Sequence, residues 1–520
     1  MNNLPLLDLS IIGIYLFLMV FIGYYFSRKD QGSEQFTKAG GSIPGWAIGL
    51  SLYATFLSSN TFIGVPGKAF GSNWNSFVFS LAMPLSAWVA SKYFVPFYRK
   101  TGEVSAYTHL EHRFGTWART YAVICFLLTQ LARMGSIFFG IALSLQALTG
   151  IPMTTIMLVV GTCIIVYTVL GGIEAVIWTE VVQAVVLTAG ALLIIYYINK
   201  GVPGGFGEII EIGKAADKFS LGSFSFDFTS ATFWVIFLYG FFINLNNFGM
   251  DQNYVQRYHT AKSPKEAASS IWMCVWLYLP ISAVFFFIGT CLYSYFEIHP
   301  ELLVFVKEQA AREMLPSGAT ADQIAQFAAT LKPEDYGDKV MPWFMVNKIP
   351  TGLVGLIVSG IMAAAMSTIS SGMNASATVF SEDIYQRYFN KSATDKQKMR
   401  VLYIGTATFG LAGVFTGVAM IGAKSILDMW WELSGIFAAG MLGIFLLGLI
   451  SKQTNNREGF TAAIIGVLVI LWMTFSKNIP EDYSFLKFSL HVNMIIVIGT
   501  LAIFLVGVLL TKLRKAKAIN

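Results

Sequence analysis

Thirteen stretches of roughly 20 predominantly apolar residues run along this 520-residue chain, near 8–26, 46–70, 74–98, 117–148, 151–170, 174–199, 231–255, 268–296, 343–380, 400–423, 427–450, 458–476 and 490–511. As a helix, each is long enough to cross a hydrocarbon layer about 30 Å thick. The chain is 55% hydrophobic and only 12% charged, about half the charged share of a soluble domain. The pattern predicts an all-α polytopic membrane protein with about 13 transmembrane helices, its first partner the lipid bilayer. Cys125, Cys163, Cys274 and Cys291 lie inside apolar runs with neither metal-ligand nor redox spacing, and are read as packing. The net charge of +6 follows from topology and calls for no nucleic acid; no obligate protein partner is evident. Twenty-two of the 35 basic residues fall in the loops that put the N-terminus outside and the C-terminus in the cytoplasm. Met1–Leu7 lacks a basic stretch, so no cleavable signal is expected, nor is a soluble domain after the last run.

Two of the apolar runs are interrupted by polar residues. Tyr53–Gly64 reads Tyr-Ala-Thr-Phe-Leu-Ser-Ser-Asn-Thr-Phe-Ile-Gly, and Leu238–Gln252 crowds Asn244, Asn246, Asn247 and Gly249 into a span that should be hydrophobic. Backbone freed from a helix inside a bilayer is tolerable only where it lines a cavity or binds something. Two interrupted helices in corresponding halves of a chain point to the midplane site of a secondary transporter. With the first run set aside, runs two to six and seven to eleven form two groups of five, each opening on its interrupted helix. Five is odd, so the groups have inverted topology, which matches the 5+5 inverted repeat of the leucine-transporter type with one extra N-terminal and two extra C-terminal helices. The expected divisions are 1–45, a first repeat 46–199, an external loop 200–230, a second repeat 231–450 containing a long external loop 297–342, and 451–520. Helix-like stretches Glu301–Leu315 and Thr320–Leu331 sit in that long loop, punctuated by Pro316 and Pro333, and are read as surface decoration, with a gating lid as the alternative.

The ninth run carries Ala363-Ala364-Ala365-Met366-Ser367-Thr368-Ile369-Ser370-Ser371-Gly372-Met373-Asn374. Ser367, Ser370 and Ser371 stand at i, i+3 and i+4 on one helix face, with Ala364 one turn earlier. Hydroxyls and freed carbonyls are hard oxygen ligands suited to a cation such as Na⁺. Serines in membrane helices also bond back to their own carbonyls or let helices pack closely, and that alternative stands. Arg133 lies in the middle of a span, too far from its ends to snorkel to water. It needs a carboxylate partner, either the protein's own or one that a substrate brings. Glu180 sits where a helix dipole alone could account for an acid. The five histidines show no metal spacing, and the motifs of phosphate-binding loops, nucleophile elbows and zinc hydrolases are missing from the sequence, so no enzyme is expected.

Taken together, Ala54–Gly64, Gly171–Glu180, Gln256-Arg257 and Ala363–Asn374 followed by Ser381-Glu382-Asp383-Ile384-Tyr385 give the chain a full-length resemblance to the solute:sodium symporter family, within it to the bacterial sialic acid transporters. The resemblance implies a first Na⁺ site from the backbone oxygens of Ala54, Leu57 and Ala364 with the hydroxyls of Ser367 and Thr368. It implies a second from Glu180, Ser367, Thr368, Ser370 and Ser371, and therefore one or two ions. It implies substrate contacts at Ser58, Ser59, Thr61 and Arg133; Ser80 and Asn247 complete the candidate set. Sugar-transporting relatives carry asparagine where this chain has Arg133, which favours an acid. In two places the chain departs from the pattern. Glu180 replaces the usual aspartate, and Ser80 replaces a longer polar side chain. The expected function is Na⁺-coupled import of an anionic sugar, sialic acid (N-acetylneuraminate) foremost, by alternating access. Symport of another carboxylate, a sugar acid or an amino acid, is the alternative; a channel or membrane sensor is the rival from a different class.

Overall fold

The structure is a computed structural model that describes residues 5–28, 32–316, 318–421, 426–476 and 479–519. Helix α1 (Leu6–Ser27) is followed by a helix broken in two, α2 (Gly45–Phe56) and α3 (Asn60–Gly71), whose axes bend by 58°. At the break Leu57 is extended (φ −91°, ψ 122°) and Asn60–Gly64 is wound as a π-helix, so the interruption read at Leu57–Asn60 is a real loss of helix. Next come α4 (Trp74–Thr101), α5 (Thr116–Thr149) and α6 (Met153–Lys200). At about 1.5 Å per residue the 48 residues of α6 would reach more than twice the thickness of the layer. Gly172, at φ 58° and ψ −160°, divides it; a Cβ there would meet the Phe36 ring at 2.8 Å, so only glycine allows the turn and the approach.

After the short helix α7 (Gly205–Ala215), the second broken helix comprises α8 (Phe233–Met250) and α9 (Gln252–Thr260). The opening falls within the stretch read as Leu238–Gln252. The asparagine run 244–247 stays helical, and the chain opens after it, at Asp251 (φ −77°, ψ 117°). Helix α10 (Pro264–Ile298) leads to three shorter helices, α11 (Pro300–Met314), α12 (Ala321–Thr330) and α13 (Pro333–Lys348). Then α14 (Leu353–Val379) crosses the core. The run read as 343–380 is thus two elements. Pro350 and Gly352 (φ 90°) end one and start the other, and residues 343–348 belong to α13. The remaining helices are α15 (Asp395–Ala419), α16 (Ile426–Ile450), α17 (Asn456–Phe475) and α18 (Met494–Ile519). Among the described residues, 11 helices are long and apolar enough to span, or 12 with α2 and α3 taken as one. The thirteenth span read from the sequence depends on counting the two arms of α6 separately.

Every residue of α14 from Ile357 to Val379 is buried, so its hydroxyls face protein rather than lipid. Its N-terminus is capped from another element: the Asp8 carboxylate of α1 accepts from the backbone N–H of Gly352 (2.8 Å) and Gly355 (2.6 Å). Helix α13 lies against α3 where Gly67 faces Gly337, and the segment between α6 and α8 reaches in with Lys218. The Lys218 ammonium donates to Phe70 O (2.7 Å) and Ser72 O (2.8 Å) at the C-terminal end of α3 and stands 3.9 Å from the Tyr293 ring centre. Burial pushes its pKa down to about 8, partly offset by Glu297. The α3–α13 contact is tight enough to test. A Cβ on Gly67 would stand 2.4 Å from Asp338 Oδ1 and 2.8 Å from the Gly337 carbonyl carbon. Gly67→Ala is therefore expected to cost about 1–3 kcal/mol, read as a lowered melting temperature; an unchanged one would mean that the two helices separate without cost.

Candidate sodium and substrate site

The break between α2 and α3 faces α14. Because α2 stops at Phe56, its last carbonyls lose their helical donors. Ser367 Oγ lies 3.0 Å from Ala54 O and 3.0 Å from Ala364 O. Thr368 Oγ1 lies 3.3 Å from Leu57 O, 3.2 Å from Thr55 O and 3.3 Å from Ala364 O. The five oxygens named for the first ion are thus gathered in one buried place. Two hydroxyl protons cannot serve all these carbonyls at once, so lone pairs are left over in a site closed to water. Uncharged hard oxygens in excess of donors are what a small hard cation binds.

Beside this cluster is a cavity of about 80 Å³ lined by Ser58, Thr61, Ser80, Arg133 and Asn247. Five of the six candidate substrate residues therefore share one chamber. Ser59 does not line it: its hydroxyl donates to Ile137 O at 2.8 Å, within the wall toward α5. Sequence reasoning missed the rest of the lining, chiefly Phe56, Asn60, Phe79, Tyr278, Ser282 and Trp431. Ser80 and Ser282 hydroxyls bond across it at 2.7 Å. The aromatic members look like ordinary core in a chain that is 15% aromatic, so no local signal singles them out.

Arg133 is the charged residue of the lining. Its Nη2 donates to the Tyr254 hydroxyl (3.1 Å) and to Thr55 O (3.4 Å), and its Nη1 to Asp251 Oδ2 (3.4 Å). Of the two partners left open by the sequence, the structure supplies a carboxylate of the protein's own, on the opening between α8 and α9. Asp251 was not singled out from sequence, although it borders the interrupted run. Glu180 also has a cation already. It lies eight residues beyond Gly172, past the reach of a helix-terminus effect. Both its oxygens are 2.8 Å from Arg257 Nη2, and it accepts from the hydroxyls of Ser51, Thr55 and Ser371. Arg257 also donates to Ser371 Oγ at 2.6 Å and to Ser51 Oγ at 2.7 Å. Of the residues named for a second ion, Glu180 and Ser371 come together around this guanidinium. Ser370 instead donates to Ser367 O at 3.2 Å, and Ser367 and Thr368 belong to the first cluster.

A profile of the sodium:solute symporter family matches residues 36–466, most of the chain. This chain belongs to the sodium:solute symporter family. It is 32% identical over 509 residues to the sodium/sialic acid symporter NanT of Aliivibrio fischeri, covering 96% of this chain and 92% of that one. It is 31% identical to the sodium/sialic acid symporter SiaT of Proteus mirabilis, covering 96% and 95%. Among solved structures it superposes on a Na⁺-coupled sialic acid symporter in its substrate-bound outward-open state, with TM-score 0.84, 29% identity and 98% of both chains covered. A nucleobase-cation-symport-1 family transporter shares the fold at TM-score 0.55 and 15% identity, covering 93% of this chain and 95% of that one. The symporter is accordingly a multi-pass membrane transporter of the leucine-transporter type, not an enzyme, and couples solute movement to Na⁺.

Proposed function

We propose that this symporter imports an anionic sugar, sialic acid, by alternating access, with Arg133 as the partner of the substrate carboxylate. The observation that carries the proposal is the fixed guanidinium in the lining of a polar chamber next to the oxygen cluster of Ala54, Leu57, Ala364, Ser367 and Thr368. Ser58, Thr61, Ser80 and Asn247 then serve the hydroxyls of the sugar, while Ser59 supports the wall. At about 80 Å³ the chamber is well below the roughly 300–1,000 Å³ of ligand pockets, so binding requires one side of it to move. Residues 46–199 and 231–450 are proposed as the two inverted repeats that rock about it, in a bacterial inner membrane with the N-terminus outside and the C-terminus in the cytoplasm.

Sialic acid should raise the melting temperature in NaCl and leave it unchanged in KCl, because the cation prepares the site. In proteoliposomes, labelled sialic acid should accumulate only with an inward Na⁺ gradient. Equal stabilisation in both salts, or equal uptake without the gradient, would sink the proposal. We further propose that Glu180 and Ser371, joined by Ser367, Thr368 and Ser370, take a second Na⁺ when Arg257 withdraws from Glu180 and the Ser370 hydroxyl turns away from Ser367 O. One Na⁺ with one carboxylate moves no net charge, whereas two move one, worth about 2.3 kcal/mol per 100 mV. The expected result is a Hill coefficient above one for Na⁺ and stimulation by an inside-negative potential. A coefficient of one with indifference to potential would leave Arg257 as the permanent partner of Glu180.

A further inference from the structure

We infer that Asp251 is the residue that makes carboxylate binding at Arg133 depend on sodium, an inference that rests on the proposed role of Arg133. Asp251 is 3% exposed and forms the opening between α8 and α9. Its Oδ1 accepts from the backbone N–H of Asn253 (2.8 Å) and from Asn253 Nδ2 (2.6 Å), which caps α9. Its Oδ2 accepts from Arg133 Nη1 (3.4 Å) and Gln130 Nε2 (3.3 Å). The cap needs only a neutral acceptor, since asparagine caps helices as well as aspartate does. The charge is therefore an extra, placed where burying it is costly, and it answers the charge of Arg133 before any substrate arrives.

When a substrate carboxylate reaches Arg133, two carboxylates share one guanidinium, and the chamber holds one negative charge too many in a poorly screened place. Arg257, the nearby cation of α9, is committed to Glu180. The place built to receive another cation adjoins the guanidinium. Thr55 O accepts from Arg133 Nη2 at 3.4 Å and lies 3.2 Å from Thr368 Oγ1 of the first sodium cluster. A Na⁺ there restores the balance and lets Arg133 turn from Asp251 to the substrate. Without Na⁺, Asp251 keeps the guanidinium and repels the incoming anion. The coupling is reciprocal, as any linkage between two sites must be. If the carboxylate of Asp251 were removed, Arg133 and the substrate would cancel one another, and sodium would lose most of its effect on affinity. Asp251 is thus a positioning residue for Arg133 that sets ion dependence rather than a substrate contact.

The test is titration calorimetry of sialic acid binding to the purified full-length chain in NaCl and in KCl of equal strength. Asp251→Asn keeps the cap and removes the charge; Asp251→Ser does the same with a different acceptor, so that either folded variant decides. The ratio of the dissociation constant in K⁺ to that in Na⁺ should fall about tenfold or more in these variants, mainly through tighter binding in K⁺, and Asp251→Glu should keep a ratio near that of the unmutated chain. An unchanged ratio in Asp251→Asn, or an equal loss of affinity in both salts, would overturn the inference while leaving the proposed function intact. Failure of the unmutated chain to bind sialic acid in either salt would overturn the proposed function and this inference with it.

Discussion

Glu180→Gln should destabilise the protein by about 3–5 kcal/mol and abolish concentrative uptake. Glu180 is fully buried and Arg257 is 1% exposed, and the guanidinium meets both carboxylate oxygens at 2.8 Å. Four elements converge on the pair: Ser51 and Thr55 from α2, Glu180 from the second arm of α6, Arg257 from α9 and Ser371 from α14. Glutamine is nearly isosteric but keeps only one acceptor oxygen, and its NH2 cannot accept where the second carboxylate oxygen did, so the change removes the charge together with at least one acceptor. What remains is a guanidinium with no counter-charge in a place that water does not reach, the situation in which removing one partner costs far more than the intact pair contributes. Glu180→Gln combined with Arg257→Gln removes both charges and should recover part of the stability, though not the uptake. Thermal denaturation in detergent of the single and double variants measures this directly. A Glu180→Gln protein that melts with the unmutated one would mean that Arg257 finds another anion or water.

Arg133→Ala is expected to weaken sialic acid binding about tenfold to a hundredfold, the loss of a charge-assisted partner being worth about 1.5–3 kcal/mol at about 1.4 kcal/mol per tenfold. The same change strands Asp251, whose remaining donors are Gln130 and Asn253, so stability should fall as well. Arg133→Lys should rescue little of either. An ammonium is a point charge, whereas Arg133 spans Asp251, Tyr254 and Thr55 with two nitrogens of a rigid fork. Binding isotherms and melting curves on the same preparations separate the two effects. Normal sialic acid affinity in Arg133→Ala would make the arginine a structural partner of Asp251 and remove the main support for an anionic substrate.

Much of the site was legible because it is local. The break at Leu57 follows from short polar residues in an apolar run, and the face shared by Ser367 and Ser371 follows from helical spacing. The second break lies inside the stretch read as Leu238–Gln252, at its far end. Asn244, Asn246 and Asn247 are poor residues for a lipid-facing helix, but this part of α8 is enclosed by protein, and Phe242, Asn244 and Asn246 are all buried. The chain opens instead at Asp251, where the side chain caps the next helix. The run read as 343–380 failed at its start, where apolar residues at the end of α13 mimic a span although α13 is a separate helix packed against α3.

Burial in lipid leaves backbone and charge few options, so a helical membrane protein with two interrupted helices and an intramembrane arginine in need of a carboxylate could be read directly from the residues. Which carboxylate answers Arg133, and which cation answers Glu180, was decided only by tertiary structure. Asp251 and Arg133 are 118 residues apart, and Arg257 and Glu180 are 77 apart. Those pairings depend on how α2, α5, α6, α9 and α14 are brought side by side, and no local pattern records it. The same holds for Ser59, whose hydroxyl, next in sequence to Ser58 in the chamber, turns to the Ile137 carbonyl instead. Neighbours in an opened stretch of helix point in different directions, and the helix packed against them determines which one the substrate can reach.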